Sequence, residues 1–146
     1  MLLTRAQLAA KLGVPGLRDL VVARGRSGRI TSVRLQAVRS ARTMLSQDFR
    51  RALDLRSTWF SVRVLNLDPP LERALADRPV ELRGFVRGLG RVRLEQQVNG
   101  GTWRTVRPVR TRPDGRFTIT VSPRRTTSYR LATPKAAGGA VTVKLR

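Results

Sequence analysis

The sequence contains no cysteine and no histidine among its 146 residues. Without cysteine the chain can form no disulfide, and it offers no thiolate as a nucleophile or a soft metal ligand. Without histidine it lacks the usual general base at neutral pH and the commonest zinc ligand, so Ser-His-Asp and Cys-His catalytic arrangements are excluded. Nine carboxylates remain as candidates for acid–base chemistry. They are interpreted as cap and turn residues, and we predict no catalytic residue, no metal site and no bound cofactor.

Acidic and aromatic residues are also scarce. Only 9 residues are Asp or Glu against 30 Lys or Arg, which gives a net charge of +21, and aromatic residues make up 5% of the chain. This excess suits an anionic partner, but it also fits the arginine bias of a GC-rich coding sequence. Residues 1–66 carry 13 basic and 3 acidic residues and residues 80–146 carry 15 and 3, so the charge is not gathered in one arm.

No run of apolar residues approaches the roughly 20 needed to span a bilayer. The N-terminal "MLLTRAQLAAKLGVPG" also lacks the basic segment and continuous apolar core of a signal peptide. The sequence as given predicts neither a membrane span nor an export signal, and it leaves the oligomeric state open.

The first part of the chain has the pattern of a small α+β unit. Thr4 and Gln7 have the spacing of a capping box before a helix in "RAQLAAKLG", which Gly13 ends. "LRDLVVARG" and "RITSVRLQAV" read as a hairpin that turns at Gly28, and "RTML" as a third strand. Ser46 is predicted to cap a helix in "QDFRRALDL".

The stretch "STWFSVRVL" then resumes the period-two pattern of a strand. We predict that it closes the α+β unit, with Phe60 packed beneath Phe49 and Leu53. Trp59 falls on the other side, beside serine and arginine, and is expected to be partly exposed.

The remaining sequence is almost purely of β type. Residues 67–79 contain Pro69 and Pro70 and are interpreted as a linker. From residue 80 to residue 146, six short segments alternate apolar and polar residues between turn signals, as in Phe117, Ile119 and Val121. The fold class predicted for the chain is an α+β N-terminal part at 1–66, followed by an all-β, Ig-like sandwich at 80–146.

The motifs "RAQLAAKLG", "GLRDLVVARGRSGRITSVRL" and "DFRRALDLRSTWFSV" resemble the C-terminal part of the SpoIID/LytB (stage II sporulation protein D) domain of bacteria. The resemblance covers about 60 residues, from Leu3 to Val62. It implies an exported domain of the cell envelope that binds or cuts the glycan strands of peptidoglycan, with lytic transglycosylase activity in characterised members.

Four departures from the family pattern change what the resemblance implies. The catalytic glutamate of the family lies upstream of these motifs, so no residue here inherits its role. Asp54 stands where the family favours glycine, and the "VRSAR" turn lacks an expected glycine. Met1 falls inside the family domain, which leaves a truncated gene, a late start codon and the surviving end of a longer protein as alternatives. We expect no lytic activity from the chain by itself.

The second half resembles Ig-like modules appended to secreted proteins of actinobacterial type, through "GGTWRTVRPVRTRPDGRFTITVSPRRTTSYRL". This resemblance implies an architecture and says almost nothing about a ligand. Tyr129 is interpreted as a structural tyrosine of the core or of a strand corner.

Arginine is the residue type with binding potential. Arg50, Arg51 and Arg56, with Trp59, are the candidate contacts to peptidoglycan or an anionic wall polymer, through bidentate pairs with carboxylates. A plain solvated surface is the alternative for the three arginines, and a purely structural role is the alternative for Trp59. A nucleic-acid protein would use the same arginines on phosphates and Trp59 or Trp103 for stacking, and an inert gene fragment is the third possibility.

Overall fold

The structure, a computed structural model, describes residues 3–70 and 73–146 and divides the chain into two compact units, Met1–Val62 (unit 1) and Arg63–Arg146 (unit 2). The elements of unit 1 are α1 (Arg5–Leu12), β1 (Leu17–Arg24), β2 (Ile30–Ala37), β3 (Ala41–Leu45) and α2 (Ser46–Ala52). Those of unit 2 are β4 (Val64–Leu67), β5 (Val80–Arg87), β6 (Arg93–Val98), β7 (Arg104–Pro108), β8 (Arg116–Val121), β9 (Thr127–Ala132) and β10 (Val141–Val143). Within residues 3–70 and 73–146, two short helices and three antiparallel sheets make a structure that is mostly β.

The first helix forms as its sequence predicts. The Thr4 hydroxyl accepts a hydrogen bond from the backbone N–H of Gln7, and the Gln7 side chain accepts one from the backbone N–H of Thr4, which completes the capping box. Gly13 ends the helix at φ +63°, a left-handed conformation that glycine adopts without a steric penalty.

Strands β1, β2 and β3 form one antiparallel sheet in that order. One face packs against the helices around a core of apolar side chains, in which Val33 and Leu35 are fully buried. Phe49 of α2 completes this core and stacks on Phe60 with ring centroids 5.3 Å apart, so the predicted packing of Phe60 is confirmed. Unit 1 is held together by this cluster, since no disulfide contributes.

The start of α2 differs from the prediction. Ser46 is the first helical residue and Leu45 occupies the cap position without a side-chain hydrogen bond. The reason is that β3 runs directly into the helix, so the extended residue before the first turn is the last residue of the strand. The helix ends at Ala52 with Leu53 as its C-cap residue, and Asp54 follows at φ +53°, a left-handed conformation that glycine adopts more readily.

The predicted strand "STWFSVRVL" is wrong for its first part. Residues 57–63 are not a strand, and only Val64–Leu67 pairs, with β5 of unit 2. The backbone at 58–60 instead bonds to the β1–β2 hairpin, since Thr58 O accepts from Ile30 N at 3.3 Å and Phe60 O accepts from the Arg24 guanidinium at 2.9 Å. These bonds replace a regular ladder, so period two in the sequence does not produce a strand here.

Unit 2 consists of two antiparallel sheets that share one hydrophobic core. Their strand orders are β4-β5-β8 and β10-β9-β6-β7. The core takes alternate residues from both sheets, including the fully buried Leu82, Leu94 and Val143. Tyr129 belongs to it at 2% exposure, in agreement with a structural role. Val106 lies at a register shift between β6 and β7, which is typical of a β-bulge.

The predicted boundary at residues 66 and 67 falls within β4, because that strand finds its partner in unit 2. Residues 71 and 72 of the predicted linker lie outside the described residues. Farther along the linker, Ala74 is buried in the core of unit 2 and forms a bridge with Leu145. This part of the predicted linker therefore contributes to the core.

A buried acid lies on the outer face of the four-stranded sheet. Glu95 accepts hydrogen bonds from Arg93 at 2.8 Å and from Arg130 at 2.9 Å, and the Arg130 guanidinium lies 4.1 Å from the ring centre of Trp103. Burial by itself raises the pKa of Glu95, but the hydrogen bonds and charges of the two arginines outweigh it and hold the pKa below its ordinary value. The ionised form is therefore the one that stabilises the fold.

Acid should remove this contribution. Since the pKa is lower in the folded state, the stabilisation is present above the ordinary pKa of Glu95 and is lost as the pH falls through the lowered value. Glu95→Gln is expected to lower the free energy of unfolding by about 2 kcal/mol at pH 7, and to lose less stability than the wild type between pH 7 and pH 3. Thermal unfolding at both pH values measures this difference.

Glu81→Gln is the matched control, because Glu81 forms an exposed pair with Arg83 at 2.7 Å on the same unit. Such pairs contribute about 0 to 1 kcal/mol. If both variants respond to acid alike, the buried pair at Glu95 has no special role.

Candidate functional site

Trp59 lies against the turn of the β1–β2 hairpin with its indole largely in solvent. The side chain is 56% exposed, yet a β-carbon placed on Gly28 would lie 3.3 Å from the indole Cζ3 and 3.4 Å from Cη2. The indole therefore rests on the backbone of Gly28, which has φ +81° and no side chain to push it away. One edge of the ring system is in contact and the rest is open to a ligand.

Arg24 connects this turn to the segment that carries Trp59. Its guanidinium donates to Gly28 O at 2.8 Å and to Phe60 O at 2.9 Å. The Trp59 backbone N–H donates to Ser57 Oγ at 3.1 Å. The backbone on both sides of the indole is thus bonded to the hairpin or to itself, and little conformational freedom would be lost on binding.

Three arginines lie close to the two contacting residues in the amino-acid sequence. Arg26 and Arg29 belong to the turn on which the indole rests, and Arg56 lies three residues before Trp59. All three are exposed, and within the described residues their guanidinium groups form no hydrogen bond or ion pair. We call Gly28, Trp59 and these three arginines the Trp59 surface. This surface combines the exposed face of the indole with three guanidinium groups that have no partner within the described residues.

The other two predicted arginines have intramolecular partners. Arg50 is half-buried and donates to Gln47 Oε1 at 3.4 Å and to Leu55 O at 3.2 Å, which holds the chain after α2. Arg51 forms an exposed ion pair with Asp48 at 3.5 Å. Of the predicted contacts, Arg56 and Trp59 are therefore the two that remain available.

Sequence reasoning missed Arg26 and Arg29. Both are basic residues of the predicted turn "GRSGR". They are linked to the candidate site only because Gly28, in the same turn, contacts Trp59. That contact joins positions about 30 residues apart, and no local pattern reveals it.

Neither a metal cluster nor a membrane helix is present in the part of the chain that the structure describes. Residues 3–70 and 73–146 contain no group of three or more acidic side chains that could hold a metal ion. In the same ranges, neither helix has the length and apolar character needed to cross a bilayer.

Comparisons with family models, with curated proteins and with solved structures found no match for this chain. The similarity to the SpoIID/LytB domain therefore stays a prediction from the sequence motifs.

Proposed function

We propose that the chain binds peptidoglycan or another anionic polymer of the bacterial cell wall, through a unit 1 of SpoIID/LytB type, and that it does not cleave the polymer. The observation that carries the proposal is the Trp59 surface, where an exposed indole rests on a bonded support. Three arginines without a partner in the described residues lie within three positions of Gly28 or Trp59 in the chain. The proposed location is the cell envelope, outside the cytoplasm.

The chemistry of the Trp59 surface suits an acidic glycan. The apolar C–H face of a sugar ring can cover the exposed indole, which removes apolar area on both partners from water. Guanidinium groups pair with carboxylates in planar, bidentate geometry, and Arg26, Arg29 and Arg56 are available for such pairs. Stacking and charge pairing together would distinguish a charged glycan from a neutral one.

The proposed absence of cleavage is supported by the acids of unit 1. Its sequence contains no glutamate, and its carboxylates are Asp19, Asp48 and Asp54. Asp19 is buried and accepts a hydrogen bond from Leu20 N at 2.8 Å, and Asp48 pairs with Arg51. Glycan cleavage needs a carboxylic acid placed against the scissile bond, and two of these three, Asp19 and Asp48, are already engaged within unit 1.

For unit 2 we propose an Ig-like module. In chain order, its strands correspond to A, B, C, C′, E, F and G, so the two sheets read A-B-E and G-F-C-C′. The position of Tyr129 on the strand equivalent to F also fits the tyrosine of that fold. This architecture supports a role as an accessory module and does not name a ligand.

Cosedimentation with isolated peptidoglycan tests the proposed binding. Trp59→Ala is expected to weaken binding about tenfold, since it removes the stacking face, and Arg56→Gln about threefold through one lost charge pair. Both positions are exposed, so both variants should keep the thermal stability of the wild type within a few degrees.

Two matched controls separate this site from general charge. Leu45→Ala removes an exposed apolar side chain from the same unit, and Arg34→Gln removes an exposed arginine of β2 outside the Trp59 surface. Neither should change binding by more than a factor of two. Equal losses in the site and control variants would contradict the proposal. Tighter binding to DNA than to peptidoglycan, with a steep dependence on salt, would favour the nucleic-acid alternative.

A further inference from the structure

A groove runs along unit 2 where each of its two sheets ends in an unpaired edge. Strand β7 is the last strand of the four-stranded sheet and β8 the last strand of the three-stranded sheet. Between them lies a groove with a volume of about 560 Å³. Its lining includes Val98, Val106, Tyr129, Thr120, Arg107 and Arg125. It is separate from the Trp59 surface, which belongs to unit 1.

Two apolar side chains that line the groove are exposed to solvent. Val98 is 40% exposed and Val106 is 38% exposed, and both line the groove. All five residues of β7 are exposed, and among the described residues β6 is the one strand that pairs with it. An unpaired edge presents backbone N–H and C=O groups to which an extended chain can add as a further strand.

The charge of the groove has one sign. No aspartate or glutamate lines it, whereas three arginines do. Arg107 donates to Thr120 O at 2.8 Å and so crosses from one sheet to the other, and Arg124 is paired with Asp77 at 2.9 Å. The Arg125 guanidinium has no partner within residues 3–70 and 73–146. Arg104, also without a partner in these ranges, extends the positive charge along β7.

We propose that this groove binds an extended acidic peptide, which adds to the edge of β7. Its backbone would pair with that edge, its carboxylates would contact Arg104, Arg107 and Arg125, and its apolar side chains would cover Val98 and Val106. Because side chains alternate along a strand, a peptide that alternates acidic and apolar residues meets both requirements at once. A second copy of this chain is a poor occupant, since each copy carries a net charge of +21.

Fluorescence anisotropy with a labelled peptide of five Glu-Val repeats tests this inference at about 150 mM salt, where weak surface electrostatics are screened. The double variant Arg107→Gln/Arg125→Gln is expected to bind at least tenfold more weakly than the wild type. The control Arg110→Gln/Arg112→Gln removes the same charge from the β7–β8 connection, outside the groove lining, and should change the affinity less than threefold. Equal losses in the two double variants would overturn the proposal.

A modified peptide tests the pairing of the backbone without any change to the protein. Methylation of alternate backbone nitrogens keeps every side chain and every charge but removes the donors of one edge. This peptide should bind the wild type at least tenfold more weakly than the unmodified one. Equal affinity of the two peptides would rule out strand addition, even if the arginine variants failed to fold.

Discussion

Gly84→Ala is expected to lower the free energy of unfolding of unit 2 by about 3 kcal/mol, the upper end of the range for overpacked cores. Gly84 lies in β5 between Leu67 of β4 and Phe117 of β8. A β-carbon there would overlap the carbonyl oxygen of Asn66 and lie 2.6 Å from Phe117 Cζ. Phe117 is buried, and the oxygen belongs to the strand backbone, so relief requires a shift of β4 itself.

Denaturant unfolding monitored by Trp103 fluorescence, in a Trp59→Phe background, measures the effect in unit 2. Gly90→Ala is the matched control, because a β-carbon at Gly90 would meet nothing within 4 Å. That substitution should be neutral, or stabilising by up to about 1 kcal/mol through the lower entropy of the unfolded chain. A cost of Gly84→Ala no greater than that of Gly90→Ala would show that the sheet has more room than its geometry indicates.

Phe49→Ala is expected to cost unit 1 about 4 kcal/mol, which is typical for loss of a buried aromatic side chain. Phe49 is 2% exposed and stacks on Phe60, so truncation leaves a cavity and removes a ring contact. A unit of about 60 residues has little stability in reserve, and most of unit 1 should unfold. Denaturant unfolding monitored by Trp59 fluorescence, in a Trp103→Phe background, measures this loss.

Leu45→Ala provides the comparison for Phe49→Ala, since Leu45 adjoins the same helix but is 65% exposed. Its cost should stay below about 0.5 kcal/mol. Phe49→Ala should also abolish binding at the Trp59 surface, because Phe60 directly follows Trp59 in the chain. Retained binding by an unfolded unit 1 would mean that charge alone holds the polymer.

Local patterns predicted those elements whose partners lie close in the chain. The capping box of Thr4 and Gln7 needs only residues three apart, and the β1–β2 hairpin needs only the turn at Gly28. Alternation likewise predicted the strands of unit 2, because burial of one face imposes period two. The cap of α2 was predicted wrongly, because Ser46 follows a strand with no break between the two elements.

The candidate site was predicted in part. Exposure of Trp59 followed from its polar neighbours, and Arg56 has no intramolecular partner in the described residues. The pairing of Arg51 with Asp48 and the bonds of Arg50 to Gln47 and Leu55 depend on side-chain conformations that spacing alone leaves open. These bonds leave Arg50 and Arg51 less available to a ligand.

By itself the sequence determined that catalysis by cysteine or histidine is excluded and that the charge is strongly positive, since both depend on composition. It also determined the order of the short helices and strands, since these depend on neighbours in the chain. Tertiary structure alone decided that residues 58–60 bond to the hairpin, that β4 joins unit 2 and that the indole of Trp59 rests on Gly28. Each of these outcomes is a choice between partners far apart in sequence. Each depends on which backbone groups form hydrogen bonds and which apolar surfaces pack together after the chain has folded, and no local sequence pattern contains that information.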